Sequence, residues 1–209
     1  MADYKKPDYW QLKARKEGYP ARSVYKLKEM DEKFGLLKPG GNARSGERIR
    51  VLDLGAAPGS WSLYVLRKMR GGVFLAAADL FPLSRQYDGG LFNGDNFCFI
   101  QGDITDPAVR DSILAQGPYH LIISDAAPAT TGNRFIDTTR SLEIAEAAAA
   151  YTESALISGG GLVIKVFQGG DVSALLKHLK TLFKNAKSYK PEACRSESFE
   201  TYYLGLEKK

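Results

Sequence analysis

Three charged residues of this chain stand directly after apolar runs, which is where a buried reactive group would be expected. Asp79, Asp125 and Lys165 each follow a stretch rich in Val, Ile, Leu or Ala that is typical of a buried strand. In an open sheet of parallel strands, ligands bind just beyond the carboxyl ends of the strands. A lysine there is costly to desolvate, which favours a functional role. We therefore predict that Asp125 and Lys165 lie close together beside a bound cofactor.

The cofactor is expected at the turn after the first strand. Residues 51–61 read Val-Leu-Asp-Leu-Gly-Ala-Ala-Pro-Gly-Ser-Trp, a branched apolar run that breaks at Gly55 before residues that can start a helix. Backbone N–H groups at such a helix start can meet a ligand. The dinucleotide fingerprint G-x-G-x-x-G is absent, because three residues including Pro58 separate Gly55 from Gly59. An NAD site is disfavoured, which leaves another adenosine-bearing cofactor or an ordinary strand-to-helix connection.

Two acidic residues near this turn are candidates for binding the rest of such a cofactor. Asp79 ends the second strand, 24 residues after Gly55, where a carboxylate can bond a ribose or cap a turn. Asp103 follows the third strand, residues 97–100, and can bond an adenine amino group. Thr105-Asp106-Pro107 is a helix start signal just beyond it.

Strands alternate with helices along the chain, which predicts an α/β fold with a mainly parallel sheet and helices on both faces. Further strands are predicted at 119–124, 162–164 and 201–206, the last in an antiparallel edge hairpin. Helices are predicted at 22–34, at 137–157 with Gly159 to Gly161 as its stop, and from 172 to about 183. Beyond Leu176, four lysines at spacings of 3, 4 and 3 are expected to form a basic ridge on the last helix, or simply a solvated face: Lys177, Lys180, Lys184 and Lys187.

Composition limits the class of protein. The chain has 209 residues, of which 44% are hydrophobic and 25% charged, as in one soluble globular domain. We see neither a signal peptide nor an apolar run that could span a membrane, so a cytoplasmic protein is expected. Cys98 and Cys194 stand alone, which fits a reducing compartment, and His120 and His178 lack ligand-spaced partners for zinc.

The positive charge is concentrated in the first quarter of the chain. Residues 1–50 contain 13 Lys and Arg against 7 Asp and Glu, whereas the whole chain has a net charge of +5. Residues 1–20 form a basic arm with four aromatic side chains (Tyr4, Tyr9, Trp10 and Tyr19), ahead of a core at 21–209. Such an arm can bind nucleic acid, pack against the core, or remain a solvated extension.

At this point the sequence resembles the FtsJ/RrmJ family of S-adenosylmethionine-dependent RNA 2′-O-methyltransferases, over residues 7 to 207. The segments that carry the resemblance occur in the family's order: Arg22-Ser23-Val24-Tyr25-Lys26-Leu27, Asp53 to Trp61, Gln101-Gly102-Asp103, Ser124-Asp125-Ala126-Ala127-Pro128, Val163 to Gly169, and Ser198-Phe199-Glu200-Thr201-Tyr202.

The resemblance implies a Rossmann-like class I methyltransferase fold with a seven-stranded sheet and a C-terminal antiparallel strand. It implies that S-adenosylmethionine is the cofactor, with Asp79 at its ribose and Asp103 at its adenine. The methionine end would lie against Gly55, Pro58, Gly59 and Trp61, with Asp125 nearby. It also implies a catalytic tetrad, of which only Asp125 and Lys165 had been reached from the strand pattern: Lys26, Asp125, Lys165 and Glu200. No metal is implied.

The implied reaction is methylation of a ribose 2′-hydroxyl, a weak nucleophile that needs positioning and loss of its proton. An ordinary lysine has a pKa of about 10.4, so to act as a base near pH 7.5 its pKa must fall by about 3 units. Its surroundings would have to destabilise the charged form by roughly 4 kcal/mol. Desolvation and a second lysine nearby can supply that free energy, whereas Asp125 and Glu200 oppose it. Of the two roles, base or hydroxyl-orienting group, we favour a charged or partly charged Lys165 that mainly positions the hydroxyl, with Lys26 and Glu200 balancing the charge.

The resemblance implies a monomer acting on large-subunit ribosomal RNA, at a uridine of the 23S RNA. The alternatives are a transfer RNA 2′-O-methyltransferase and a non-catalytic RNA-binding assembly factor that retains the fold. The complete tetrad argues against the assembly factor, because a protein that only binds RNA has no need of all four residues.

Overall fold

A computed structural model describes residues 7–38, 47–169, 172–195 and 197–209. Within this part of the chain, seven strands form one sheet in the order β3-β2-β1-β4-β5-β7-β6. The strands are Ile49–Leu54 (β1), Val73–Asp79 (β2), Phe97–Gln101 (β3), Tyr119–Ser124 (β4), Leu156–Phe167 (β5), Phe183–Tyr189 (β6) and Glu200–Lys208 (β7).

Strands β1 to β5 are parallel, and β7 lies antiparallel between β5 and β6. The predicted mainly parallel sheet with an antiparallel C-terminal strand is therefore confirmed. The carboxyl ends of β1 to β5 share one edge, and the amino end of β7 reaches the same edge because Phe167 pairs with Glu200. The strand order reverses between β1 and β4, and this switch point is where open α/β sheets bind ligands.

Among the described residues, six α-helices cover the two faces of the sheet: Tyr9–Lys16 (α1), Val24–Phe34 (α2), Ser60–Met69 (α3), Pro107–Leu114 (α4), Arg134–Ala155 (α5) and Val172–Leu182 (α6), with a short 3₁₀ helix at Leu91–Asn93. Side chains alternate between the faces of a strand. Val51 and Ile123 consequently pack with α1 to α3, whereas Leu52 and Ile122 pack with α4 to α6. None of the described helices is long and apolar enough to cross a bilayer.

The prediction that Gly159 to Gly161 end a helix and precede the fifth strand is wrong. Helix α5 ends at Ala155, and β5 begins at once with Leu156, so the glycines lie inside the strand. The register between β4 and β5 shifts between Tyr119 and Leu121. A Cβ on Gly161 would lie 3.2 Å from Leu121 Cδ1. The glycines therefore allow an irregular, closely packed strand. A run of glycines is equally typical of the end of a helix, so the sequence alone does not distinguish the two structures.

The predicted basic ridge on the last helix is also wrong. Helix α6 ends at Leu182 and the chain continues directly into β6, so Lys184 and Lys187 follow the period of a strand. The Lys184 ammonium pairs with Glu207 at 3.1 Å, and Lys187 Nζ lies 4.3 Å from the centroid of the Phe34 ring. Lysines spaced by 3 and 4 residues share one face only if all of them lie on the same helix.

The N-terminal segment packs against the core, one of the three predicted alternatives. Asp8 caps α1 through a capping box with Gln11. Ala14 is buried, and the Trp10 ring lies 4.9 Å from that of Tyr25. Residues 1–6 of the predicted arm, and residues 39–46 of the glycine-containing loop before β1, lie outside the described residues.

Candidate active site

A cavity of about 450 Å³ opens at the carboxyl ends of β1 to β4. It is lined by small residues, apolar side chains and four carboxyl-bearing side chains. We call it the first cavity; its lining residues are Gly55, Ala57, Asp79, Leu80, Phe81, Gly102, Asp103, Ile104, Thr105, Asp125, Ala126, Ala127, Glu143 and Ile144.

Gly55 is required where β1 passes the end of β4. Its φ is +72°, a left-handed value that favours glycine, and a Cβ there would lie 2.5 Å from the Ala126 Cα. The neighbouring backbone cannot retreat from such a contact without moving β4. Glycine at this position therefore allows the turn after β1 to pack against Ala126, and both residues line the first cavity.

Asp79 and Asp103 line the first cavity as the sequence predicted, and each also organises its own loop. Asp79 accepts backbone N–H bonds from Ala57 and Phe81, both at 2.8 Å. Asp103 accepts from the Thr105 backbone at 2.9 Å and from its hydroxyl at 2.7 Å. These bonds hold the pKa of Asp103 below its usual range, against a small opposing effect of burial. A carboxylate has about four acceptor positions, so both residues can still bond a ligand.

Three residues predicted for the methionine end are not among those lining the first cavity. Pro58 and Gly59 form the turn into α3, and a Cβ on Gly59, which has a φ of +107°, would lie 2.9 Å from the Phe92 ring. Trp61 is buried, and its indole N–H donates to the Ser23 carbonyl at 2.8 Å. Trp61 thus ties α3 to the start of α2, the helix that carries Lys26.

The tetrad residues meet at the edge of the sheet. Lys165 Nζ lies 2.9 Å from Asp125 Oδ1 and also donates to the Asp125 carbonyl. Lys26 Nζ lies 2.8 Å from Glu200 Oε2 and 4.0 Å from Asp125 Oδ1. The predicted proximity of Asp125 and Lys165 is confirmed. Both lysines are 8% exposed, so the cluster is desolvated yet reachable.

The charges of this cluster stabilise one another. Burial alone would raise the pKa of Asp125, but the ammonium groups of Lys165 and Lys26 and the hydroxyl of Tyr202 outweigh it and lower the pKa. Burial would lower the pKa of Lys26, but the carboxylates of Asp125 and Glu200 raise it overall. Asp125 is therefore an anion and Lys26 a cation at neutral pH.

Tyr202 belongs to the cluster although our sequence reasoning gave it no role. Its hydroxyl donates to Asp125 Oδ1 at 2.6 Å, and its ring lies 5.9 Å from Trp61. It stands two positions after Glu200 on β7, so both side chains share one face of the strand. The two-residue spacing could have indicated that Tyr202 lies on the same face as Glu200. It points to Asp125 only once β7 is known to pair with β5.

A second cavity of about 350 Å³ lies beside Lys26 and Glu200, between the start of α2 and the segment before β7. We call it the second cavity; it is lined by Arg22, Ser23, Lys26, Arg195, Glu197, Ser198, Phe199 and Glu200. Asp125 lines the first cavity and Lys26 and Glu200 line the second. The tetrad therefore stands between two cavities, an arrangement that suits transfer of a group from one ligand to another.

Asp53, inside the glycine turn motif, is fully buried on β1. It accepts a 2.6 Å bond from the Ser62 hydroxyl, while its Oδ1 has no hydrogen-bond partner. Burial raises its pKa to about 7; the Ser62 bond opposes this shift, and the charges of Asp125 and Asp79 add to it. Asp53 is thus partly protonated at neutral pH.

The structure gives no indication of a metal centre within the residues it describes, where no three His, Cys, Asp or Glu side chains are grouped to hold an ion. Both cysteines are free, Cys98 half-buried and Cys194 buried. Burial, together with the nearby Glu200 carboxylate, raises the pKa of the Cys194 thiol to about 12, so it stays protonated.

The fold and the two cavities define a Rossmann-like methyltransferase, and comparison with known proteins gives the family. The model of the FtsJ-like methyltransferases matches residues 19–208. The chain belongs to this family.

Similar proteins include curated relatives and a solved structure. The chain is 49% identical over 204 residues to "Ribosomal RNA large subunit methyltransferase E" of Treponema denticola, covering 98% of this chain and 96% of that one. It is 43% identical to the protein of the same name from Oleidesulfovibrio alaskensis, with 95% and 90% covered. A ribosomal RNA methyltransferase structure from Plasmodium falciparum, described as putative, is 26% identical with a TM-score of 0.72, covering 91% and 98%.

Proposed function

We propose that this protein transfers a methyl group from S-adenosylmethionine to a ribose 2′-hydroxyl of large-subunit ribosomal RNA, at a uridine of the 23S RNA. The observation that carries the proposal is the desolvated cluster of Lys26, Asp125, Lys165 and Glu200 between two cavities. The family and the names of the similar proteins support the reaction class and the RNA.

The first cavity fits S-adenosylmethionine. Gly55 allows the turn after β1 to lie against Ala126 at the edge of this cavity. Asp79 and Asp103 supply acceptors for ribose hydroxyls and an adenine amino group, and Leu80 and Phe81 supply apolar surface. Pro58, Gly59 and Trp61 would support the methionine end from behind the turn. When bound, this cofactor supplies a methyl group on a positively charged sulfur.

The four tetrad residues would position the substrate hydroxyl. Lys165 Nζ already donates to two oxygens of Asp125, and an ammonium has three hydrogens. Its third can be donated to the 2′-oxygen, which turns a lone pair of that oxygen toward the first cavity. The Asp125 carboxylate is the nearest anion that can accept the hydroxyl proton. Such positioning and proton transfer are each worth several powers of ten in rate.

Charge balance favours a charged Lys165. The two carboxylates of the cluster are matched by two ammonium groups, so the buried group has no net charge. A neutral Lys165 would leave an excess negative charge in a desolvated site, which is costly. Lys26, which touches Glu200 and faces Asp125, completes this balance and lines the cavity where the ribose would enter.

The RNA would meet the side of the molecule that carries the second cavity, where Arg22, Lys26 and Arg195 converge. These cations can bond phosphates irrespective of sequence. Because no described segment forms a separate RNA-binding domain, the target would be read on a large folded RNA such as the ribosomal subunit. We propose that the protein works as a cytoplasmic monomer.

The experiment that tests this function uses purified protein, tritiated S-adenosylmethionine, and three substrates offered in parallel: large ribosomal subunits, naked ribosomal RNA and bulk transfer RNA. We expect label in the large-subunit RNA, at a linkage that resists alkali because a 2′-O-methyl group blocks cleavage. Lys165→Ala should abolish the label, whereas Lys177→Ala, which alters an exposed lysine of α6, should not.

Label confined to transfer RNA would replace the proposed substrate with the first alternative. Alkali-labile label would contradict ribose methylation. If the cofactor binds and no RNA is labelled, the non-catalytic assembly factor becomes the better interpretation.

A further inference from the structure

The second cavity also points to the form in which the RNA binds. Resting on the proposed function, we infer that this cavity accepts the target nucleotide singly, unstacked from its neighbours, with its base lying on the Phe199 ring. Arg22 and Arg195 bond the adjoining phosphates. Phe199 would then be a base-stacking residue of the substrate site.

Size and depth require an unstacked nucleotide. Lys26 and Lys165 are each only 8% exposed, so a ribose must enter the surface to bring its 2′-oxygen to them. The second cavity, about 350 Å³, has the volume of a pocket for one small ligand, far too little for a duplex. Enzymes that must reach one buried nucleotide commonly extrude it from the stack and hold its base by stacking.

Phe199 is built to receive a base. It lines the second cavity next to Glu200 and is half-buried. Its ring packs edge-on against Phe167 with centroids 4.8 Å apart, and the Arg134 guanidinium lies 5.5 Å from its centroid. Its carbonyl accepts a 2.7 Å bond from the Gln168 backbone. The ring is therefore held in place before RNA arrives, which reduces the entropy lost on binding.

One carboxylate organises the cations around this ring. Asp8, the cap of α1, pairs with Arg22 and lies 3.9 Å from the Nε of Arg195. Arg22 also donates to the Ala193 carbonyl at 2.5 Å. A guanidinium has five N–H donors, so Arg22 can bond a phosphate while keeping both contacts. By packing onto the core, α1 thus places Asp8 where it holds the two arginines that would bind the phosphates.

The test compares Phe199→Leu, Phe199→Trp and the wild type with large subunits and S-adenosylmethionine. Stacking on an aromatic side chain corresponds to roughly 5- to 100-fold in affinity. We expect Phe199→Leu to raise the KM for the subunit by about tenfold or more, with cofactor affinity unchanged, and Phe199→Trp to restore it. Phe34→Leu is the matched control, because Phe34 is also half-buried and packs edge-on against an aromatic ring, 5.2 Å from Tyr189.

A second arm separates stacking from a structural role. Once the methylated nucleotide is mapped, RNA lacking the base at that position is compared with intact RNA in a binding assay. We expect Phe199→Leu to weaken binding of the intact RNA only. An unchanged KM for Phe199→Leu, or an equal loss for intact and abasic RNA, overturns the inference. A wild type that labels no RNA overturns the proposed function as well, so the two failures are distinguishable.

Discussion

Removing one hydroxyl, in Tyr202→Phe, should weaken the tetrad in a pH-dependent way. The hydroxyl donates to Asp125 Oδ1 at 2.6 Å in a desolvated site. A hydrogen bond to a charged group contributes about 1.5–3 kcal/mol, and each 1.36 kcal/mol corresponds to one pKa unit. The pKa of Asp125 in the variant should therefore rise, because one donor to the carboxylate is lost, while Lys165 and Lys26 remain to stabilise the anion.

The effect on stability follows from the sign of that pKa change. The pKa of Asp125 is lowered in the folded protein, so its ionised form adds stability above the pKa of an unfolded aspartate, about 3.9. That contribution is lost as the pH falls through the folded pKa. Tyr202→Phe should thus lower the free energy of unfolding by about 1.5–3 kcal/mol at pH 7 and by much less at acidic pH.

The assay is a pH profile of kcat/KM for methyl transfer, with denaturant unfolding at pH 7 and at about pH 2 to 3, well below the pKa of an unfolded aspartate. We expect the acid limb of the profile to move to higher pH, because Asp125 becomes easier to protonate. Tyr203→Phe is the matched control, because its hydroxyl donates to the Val172 carbonyl at 3.1 Å on the opposite face of β7. An acid limb that coincides with the wild type, or shifts equally in Tyr203→Phe, would refute the assignment of Tyr202 to the charge of Asp125.

Three further outcomes are expected. Lys165→Ala should lower kcat by roughly 10²- to 10⁴-fold, because the 2′-hydroxyl is then no longer positioned for attack and for proton transfer to Asp125, while calorimetry shows cofactor affinity nearly unchanged. Gly55→Ala should weaken cofactor binding and lower the unfolding temperature, because its Cβ would lie 2.5 Å from the Ala126 Cα. Asp53→Asn should stabilise the protein relative to the wild type as pH rises, because the wild-type carboxyl has a pKa raised to about 7. The wild-type protein therefore loses up to a few kcal/mol of stability as the pH rises from about 4 to about 7, whereas the variant does not.

Each of these outcomes has a control. A Lys165→Ala variant that loses cofactor affinity in proportion to kcat would contradict a role confined to the substrate hydroxyl. Gly71→Ala separates backbone strain from the clash at Gly55, because Gly71 has a φ of +86° with nothing within 4 Å of its Cβ position. If Gly71→Ala is equally damaging to cofactor binding, the close approach to Ala126 is unimportant. An Asp53→Asn variant less stable than the wild type at pH 8 would show that the ionised carboxylate is well accommodated.

Local pattern was sufficient for the parts of the site that lie on consecutive parallel strands. Asp125 follows the end of β4, and Lys165 lies inside β5 near its carboxyl end, which is Phe167. The two strands are neighbours in one sheet, so their order in the sequence already places both residues near one edge, although the predicted strand at 162–164 stopped short of Lys165. The glycine turn and the start of α4 could also be predicted from local sequence. Asp106 caps α4, and Pro107 is the first residue of that helix.

Where two structures share one composition, the sequence was ambiguous. Glycines at 159–161 suit both a helix stop and an irregular strand, and the spacing of Lys184 and Lys187 is helical only if α6 continues past Leu182. In each case the packing of β5 and β6 against their neighbours decided, because pairing within the sheet outweighs a weak local preference.

The sequence by itself thus determined the alternating α/β order, the glycine turn after β1 and the proximity of Asp125 and Lys165, because these depend on short-range periodicity. Lys26 and Glu200 were reached only through the family resemblance, and no spacing could have joined them. Tertiary structure brings them to 2.8 Å, because β7 inserts antiparallel beside β5 while α2 packs across the end of the sheet. The same insertion places Tyr202 on Asp125 and forms the second cavity. Contacts between residues so far apart in the chain are decided by the packing of whole elements, which no local pattern records.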